Sequence, residues 1–158
     1  MNRQHHYAIN LTWTGNTGQG TLNYRGYERS HELYVEGKPV IYASSDPSFR
    51  GDRTKYNPEE LLLASLSSCH MLWYLHLCSE AGIIVIDYSD KARGIMEEGS
   101  DGGGKFKEVT LNPVITITDQ SKTEQAKQLH KRANELCFIA NSVNFAVKHN
   151  AEIKTNTP

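Results

Sequence analysis

Apolar residues are unevenly spread along this chain. From Leu61 to Cys78 they crowd together, and Leu, Met, Trp, Tyr, Ala and Cys leave almost no polar face. A helix of that composition belongs at the centre of a fold. Its start is well marked. Asn57 suits the N-cap, Pro58 the first helical position, and Glu59 and Glu60 the positive end of the macrodipole. The pattern predicts a helix from Pro58 to about Ala81, stopped by Gly82. Before it, alternation predicts strands over 6–13, 21–27 and 32–35, followed by an irregular loop up to Tyr56. After it, 83–98 and 106–118 read as long strands joined by the Gly99–Gly104 turn. A second helix is expected from about Lys122 to Cys137, with Ala126, Leu129, Ala133, Leu136 and Cys137 on one face and Ser121 or Thr123 as cap. Residues 144–155 form a last strand.

The order β-β-β-α-β-β-α-β argues an α+β fold in which mainly antiparallel sheets wrap around one buried helix. No repeat, low-complexity tract or linker interrupts it, so residues 1–158 are expected to form a single domain. The 17 basic and 18 acidic residues nearly cancel, which argues against nucleic-acid binding through a positive field. Ser65, Ser67, Ser68, His70 and His76 interrupt the apolar stretch, so it is expected to be a buried helix and not a membrane span. The first residues contain no apolar run of the secretory kind, and a cytoplasmic location is expected. In that reducing compartment the three cysteines are expected as thiols.

Those thiols carry the candidate chemistry. Cys69 shares its helical face with Leu62, Ser65, Leu66, Leu72, Trp73 and His76. That face is an apolar wall with one hydroxyl and one imidazole. Cys78 lies nine residues on, about 180° around the helix, and reads as core filling. Cys137 ends the second helix. Taken alone, each of the three reads first as a buried structural cysteine. His70 points about 100° away from Cys69 and is poorly placed as its base. The absence of Cys-x-x-Cys and His-x-x-x-His spacings leaves no metal or cofactor expected. Glu59 precedes Cys69 by ten residues, roughly 15 Å along a helix, so the two can serve one site only through a bridge or a second subunit.

The string Asn57-Pro58-Glu59-Glu60-Leu61-Leu62, with Ala64-Ser65 and Ser68-Cys69, resembles the signature of the OsmC/Ohr family, the osmotically inducible and organic-hydroperoxide-resistance proteins. A lone cysteine on a second helix fits the same pattern, and the resemblance spans essentially the whole chain, closest to the OsmC-like branch. It implies an intertwined homodimer that reduces organic hydroperoxides with thiols, in oxidative-stress defence. Cys69 would match the peroxidatic cysteine and Cys137 the resolving one. Glu59, supplied by the partner subunit, would match the carboxylate that orients an arginine beside the thiol. Arg50 comes nearest the OsmC-type arginine position, while Arg29 and Arg25 resemble the Ohr-type placement. Leu66, Leu72 and Trp73 would bind the alkyl part of the substrate, and an external dithiol would restore the thiols. Two positions differ from the family pattern: His70 follows Cys69 where an aromatic is common, and Phe138 follows Cys137 where many relatives have Pro. The alternative reading is a binding module or redox sensor for an apolar ligand on the same fold.

Overall fold

The computed structural model describes residues 3–156. They form two compact units, one up to Leu61 and one from Leu62 onward.

The first unit is a three-stranded antiparallel sheet of β1 (Asn10–Trp13), β2 (His31–Tyr34) and β3 (Ile41–Ala43), with β2 in the middle. The first strand is shorter than the 6–13 expected from alternation. The register runs from Asn10 opposite Tyr34 to Trp13 opposite His31, and β2 ends there, so residues 6–9 have no partner strand. Residues 21–27 are turns and not a strand. The carbonyls of Tyr24 and Tyr27 accept from the Arg29 guanidinium at 2.7 and 2.5 Å, and both rings stack against it. Asn16 Oδ1 accepts from the amides of Gly18 and Gly20. The segment's backbone groups are thus committed to local partners, and a sheet ladder is lost to them.

Helix α1 spans Pro58–Glu80. Asn57 and Glu60 make a reciprocal capping box: the Glu60 amide donates to Asn57 Oδ1 at 2.8 Å, and the Asn57 amide donates to Glu60 Oε2 at 3.2 Å. At the far end Gly82 takes φ 63°. The Ile83 amide donates to the Cys78 carbonyl and the Gly82 amide to that of Ser79, which closes a Schellman motif. In length and composition α1 could also cross a bilayer. One stripe of it, Leu66, His70, Tyr74 and Cys78, is buried.

That stripe belongs to the second unit, which holds two three-stranded sheets. One is β4 (Val85–Asp90), β7 (Pro113–Ile117) and β9 (Glu152–Thr155); the other is β5 (Arg93–Glu98), β6 (Gly104–Leu111) and β8 (Ala146–His149). The segments 83–98, 106–118 and 144–155, each expected as one strand, are therefore two strands apiece, shared between the sheets. The break has a cause. The Asn112 amide donates to Asp90 Oδ1 at 2.7 Å and its side chain to the Lys91 carbonyl at 2.9 Å, which fixes a corner just before Pro113. Both sheets are antiparallel at β4–β7 and β5–β6 and parallel at β6–β8 and β7–β9. Pro113, Ile115 and Ile117 point inward from β7 at the two-residue period of a half-buried strand. With Tyr74, Cys78, Ile83, Ala126 and Ala133 the two isoleucines make one core; Leu66, Val109 and Leu111 centre a second. Gly94 lets β5 approach α1, since a Cβ there would stand 2.8 Å from Leu63 Cδ1.

Helix α2 covers Thr123–Leu136. Neither Ser121 nor Thr123 caps it; Asp119 caps a preceding 3-10 turn over 120–122 by accepting from the Ser121 amide. Ala126, His130 and Ala133 form its buried face.

Candidate functional site

In the second unit the exposed side of α1 borders an open groove of about 610 Å³ lined by Ser65, Ser68, Cys69, Leu72, Trp73, His76, Phe138 and Ile139. The first six recur at helical spacing on α1, so the groove wall is a direct consequence of the 3.6-residue period. Ser65 and Ser68 turn their hydroxyls back to the helix carbonyls of Leu62 and Ala64, which leaves the groove surface apolar. Trp73 and Phe138 meet edge to face, with centroids 5.6 Å apart at 84°. Phe138 is an exposed aromatic that belongs to this wall. Leu66, expected in the wall, is instead fully buried with Val109 and Leu111 and does not line the groove. Three residues around the helix from Cys69 is close enough for sequence to suggest a shared face, but the rotation turns Leu66 inward.

Cys137, just past the end of α2, is buried behind the groove residues Phe138 and Ile139 that follow it in the chain. The helix stops at Leu136, and Cys137 itself has extended backbone at φ −65°, ψ 111°. Its thiol is a neighbour of that of Cys69. Both are free thiols, Cys69 partly exposed and Cys137 buried. Burial, followed by the neighbouring Cys69, pushes the Cys137 thiol up to about 11, although the amides of Ala140 and Ile139 pull the other way. The Ala140 amide donates to Cys137 Sγ at 3.4 Å. At neutral pH Cys137 is therefore a thiol and not a thiolate. Cys78 packs in the core beside Tyr74, its thiol raised by burial, and is remote in role from the pair.

His70 turns into the core and bonds to a residue that composition gives no reason to single out. Its Nε2 lies 2.9 Å from His130 Nδ1, and both imidazoles are 1% exposed. The signal for His130 was positional: it falls four residues after Ala126 and three before Ala133, on the buried face. Burial pulls His70 down to about 4 and His130 to about 3; His149 pushes both the same way, and Asp90 opposes it at His70. Among the described residues no group of three His, Cys, Asp or Glu is placed to hold a metal ion.

Glu59, Arg50, Arg29 and Arg25 belong to the first unit. Arg29 and Arg50 line one small cleft of about 260 Å³ there with Glu28, Ser30, Ser44, Gly51 and Asp52. Arg29 is committed to Tyr24 and Tyr27, as described above. Arg50 is exposed and ends a 3-10 turn in the left-handed conformation, φ 65°. Arg25 is exposed. Glu59 Oε2 is shielded from solvent and accepts no hydrogen bond among the described residues.

A mixed α+β protein with a groove-lining thiol and a buried thiol beside it is the class these features define. The chain belongs to the OsmC-like protein family, whose model matches residues 51–152. It is similar to an OsmC-like protein of unknown function from Vibrio cholerae, at 30% identity and TM-score 0.84 over 94% of this chain and 99% of that one. An organic hydroperoxide resistance protein from Elizabethkingia anophelis shares the fold at 20% identity and TM-score 0.68, over 98% and 100% of the two chains. The Bacillus subtilis protein YmaD, uncharacterized, is 21% identical over 88% of this chain and 87% of its own length. The organic hydroperoxide resistance protein and this chain thus share one fold.

Proposed function

We propose that this protein is a cysteine-based peroxidase that reduces organic hydroperoxides to alcohols. The observation that carries the reading is that Cys69, in the wall of an apolar groove, has the buried Cys137 thiol as its neighbour. Thiolate sulfur of Cys69 attacks the outer oxygen of ROOH, the O–O bond breaks, and the alkoxide leaves with a proton as ROH. Cys69 is then a sulfenic acid. Cys137 attacks its sulfur, the S–O bond breaks, and the Cys137 proton leaves with the hydroxyl as water, giving the disulfide. A protonated Cys137 suits that role, because it does not compete for peroxide and becomes a nucleophile only beside the sulfenic sulfur. An external dithiol returns both sulfurs to thiols.

Leu72, Trp73 and Phe138 offer the alkyl group an apolar wall, which favours organic hydroperoxides over hydrogen peroxide. The thiolate needs a cation beside it, since an apolar surround disfavours charge. Glu59 with Arg50, or else with Arg29 or Arg25, supplies it from a partner subunit in this reading; Glu59 Oε2 has no hydrogen-bond donor among the described residues and is an acceptor a guanidinium would satisfy. A homodimer is supported by the first unit's exposed apolar residues, among them Ile9 at 60%, Leu11 at 62% and Tyr42 at 59%. Consumption of cumene hydroperoxide by the purified protein, abolished in Cys69→Ser, is the expected result. Binding of the hydroperoxide without turnover would leave a ligand-binding module in its place.

A further inference from the structure

The two cysteines come from helices that run antiparallel and are fastened at three levels. At one end Cys69 meets Cys137. At the other, Lys122 Nζ donates to the carbonyls of Gly82 at 2.6 Å and Ala81 at 3.3 Å. Between them His70 meets His130 at 2.9 Å. The middle fastening is the stiffest. The two imidazoles lie within 8° of parallel, and Tyr74, one turn on from His70, stacks on the His130 face at 3.8 Å and 11°. One ring is therefore fixed along its edge and across its face by the same stretch of α1.

The thiol end is held by its own segment and not by α1. Cys137 stands past the last helical residue, its amide holds the Asn134 carbonyl at a long 3.4 Å, and the Ala140 and Asn141 amides donate to its Sγ and its carbonyl. The last residue of α2 tied to α1 by a hydrogen bond is His130, two turns earlier. On the other helix His70 is the immediate neighbour of Cys69. A buried apolar pair would fill the same space without fixing an angle, whereas a hydrogen bond between two rings sets both distance and direction. The outer nitrogens, His70 Nδ1 and His130 Nε2, have no partner among the described residues, so the bond between the rings is the polar contact this pair makes.

We infer that His70 and His130 are positioning residues whose hydrogen bond sets the approach of Cys137 to Cys69, and hence how readily the disulfide closes. The inference rests on the Cys69–Cys137 pairing of the peroxidase reading, but the thiols can be tested without a peroxide. In a glutathione buffer the protein dithiol gives two hydrogens to oxidised glutathione; the Cys69–Cys137 bond forms and two reduced glutathiones leave, through a mixed disulfide.

The test is the equilibrium constant of that exchange in the full chain, read by alkylation and peptide mapping. Amides can replace each ring nitrogen selectively. In His70→Gln the amide reaches the place of Nε2, and in His130→Asn that of Nδ1; His70→Asn falls short and His130→Gln overshoots. The matched variants are expected to keep the parental constant within about twofold, and the mismatched ones to lower it roughly three- to tenfold, the range of one hydrogen bond. His130→Phe, which fills the site and still stacks on Tyr74, guards against a mismatched variant that fails to fold; it is expected to lie with the mismatched pair. Parental constants in the mismatched variants and in His130→Phe would overturn the inference. So would matched variants as weak as mismatched ones, or a parent that never forms the disulfide. Because no hydroperoxide takes part, a protein without peroxidase turnover can still meet every expectation here.

Discussion

Acid should destabilise this protein well before its carboxylates titrate, through the buried histidine pair. Each ring has an ordinary value of 6.5, lowered by burial to about 4 in His70 and about 3 in His130. Lowered basic groups bind fewer protons in the folded state than in the unfolded one, so stability rises with pH. The contribution is complete above about 6.5 and is lost as pH falls from there toward the folded values. Within that window each histidine changes stability by about 1.4 kcal/mol per pH unit. Between pH 7.5 and 5.0 the loss is about 2 kcal/mol for each ring and about 4 kcal/mol for both. Domains of this size have total stabilities of roughly 5–15 kcal/mol, so the effect is large. Asp46, Asp52 and Asp119 are held below the usual carboxylate range by hydrogen bonds from Ser48, Thr54 and Ser121, and lose their contributions only at lower pH. Urea unfolding at constant ionic strength across pH 7.5 to 5.0 measures the slope. The double variant His70→Gln/His130→Asn keeps a hydrogen-bonded pair that cannot titrate, and its curve should be flatter by about 4 kcal/mol at pH 5.0. Parallel curves for parent and double variant would refute the argument.

Three further outcomes follow from the site and its helix. Trp73→Ala removes half of the aromatic wall; kcat/KM for cumene hydroperoxide should fall roughly tenfold while that for hydrogen peroxide stays within about twofold. Glu59→Gln separates two roles: a helix-terminal charge alone predicts a stability loss of up to about 1 kcal/mol with turnover intact, whereas a guanidinium anchor predicts a roughly ten- to hundredfold loss of kcat/KM. Asn57→Ala breaks the capping box and should cost about 1 kcal/mol in urea unfolding, without changing which cysteines pair.

Much of the fold could be read along the chain, wherever one local signal had no competitor. Asn57, Glu60 and Gly82 mark the ends of α1 because caps act within a few residues of themselves. The cysteines and the groove followed from helical spacing together with the family signature. The misreadings share a physical origin in contacts distant in sequence. Residues 21–27 alternate like a strand, but the Arg29 guanidinium claims their carbonyls. The long strands at 83–98 and 106–118 break where Asp90 and Asn112 meet across 22 positions. Leu66 shares a side of α1 with Cys69, and only the packing of Val109 and Leu111 decides which way it faces. His130 lies at an inward spacing, yet a histidine is not expected in a core until its partner is seen to be another buried histidine.

The central claim is that Cys69 and Cys137 act on a hydroperoxide as one unit, and peptide mapping after a single equivalent of cumene hydroperoxide tests it most directly. The expected product is a Cys69–Cys137 disulfide with Cys78 still alkylatable, and in Cys137→Ser a Cys69 sulfenic acid that dimedone traps. Cys69 recovered as an unmodified thiol, or linked instead to Cys78, would contradict the account.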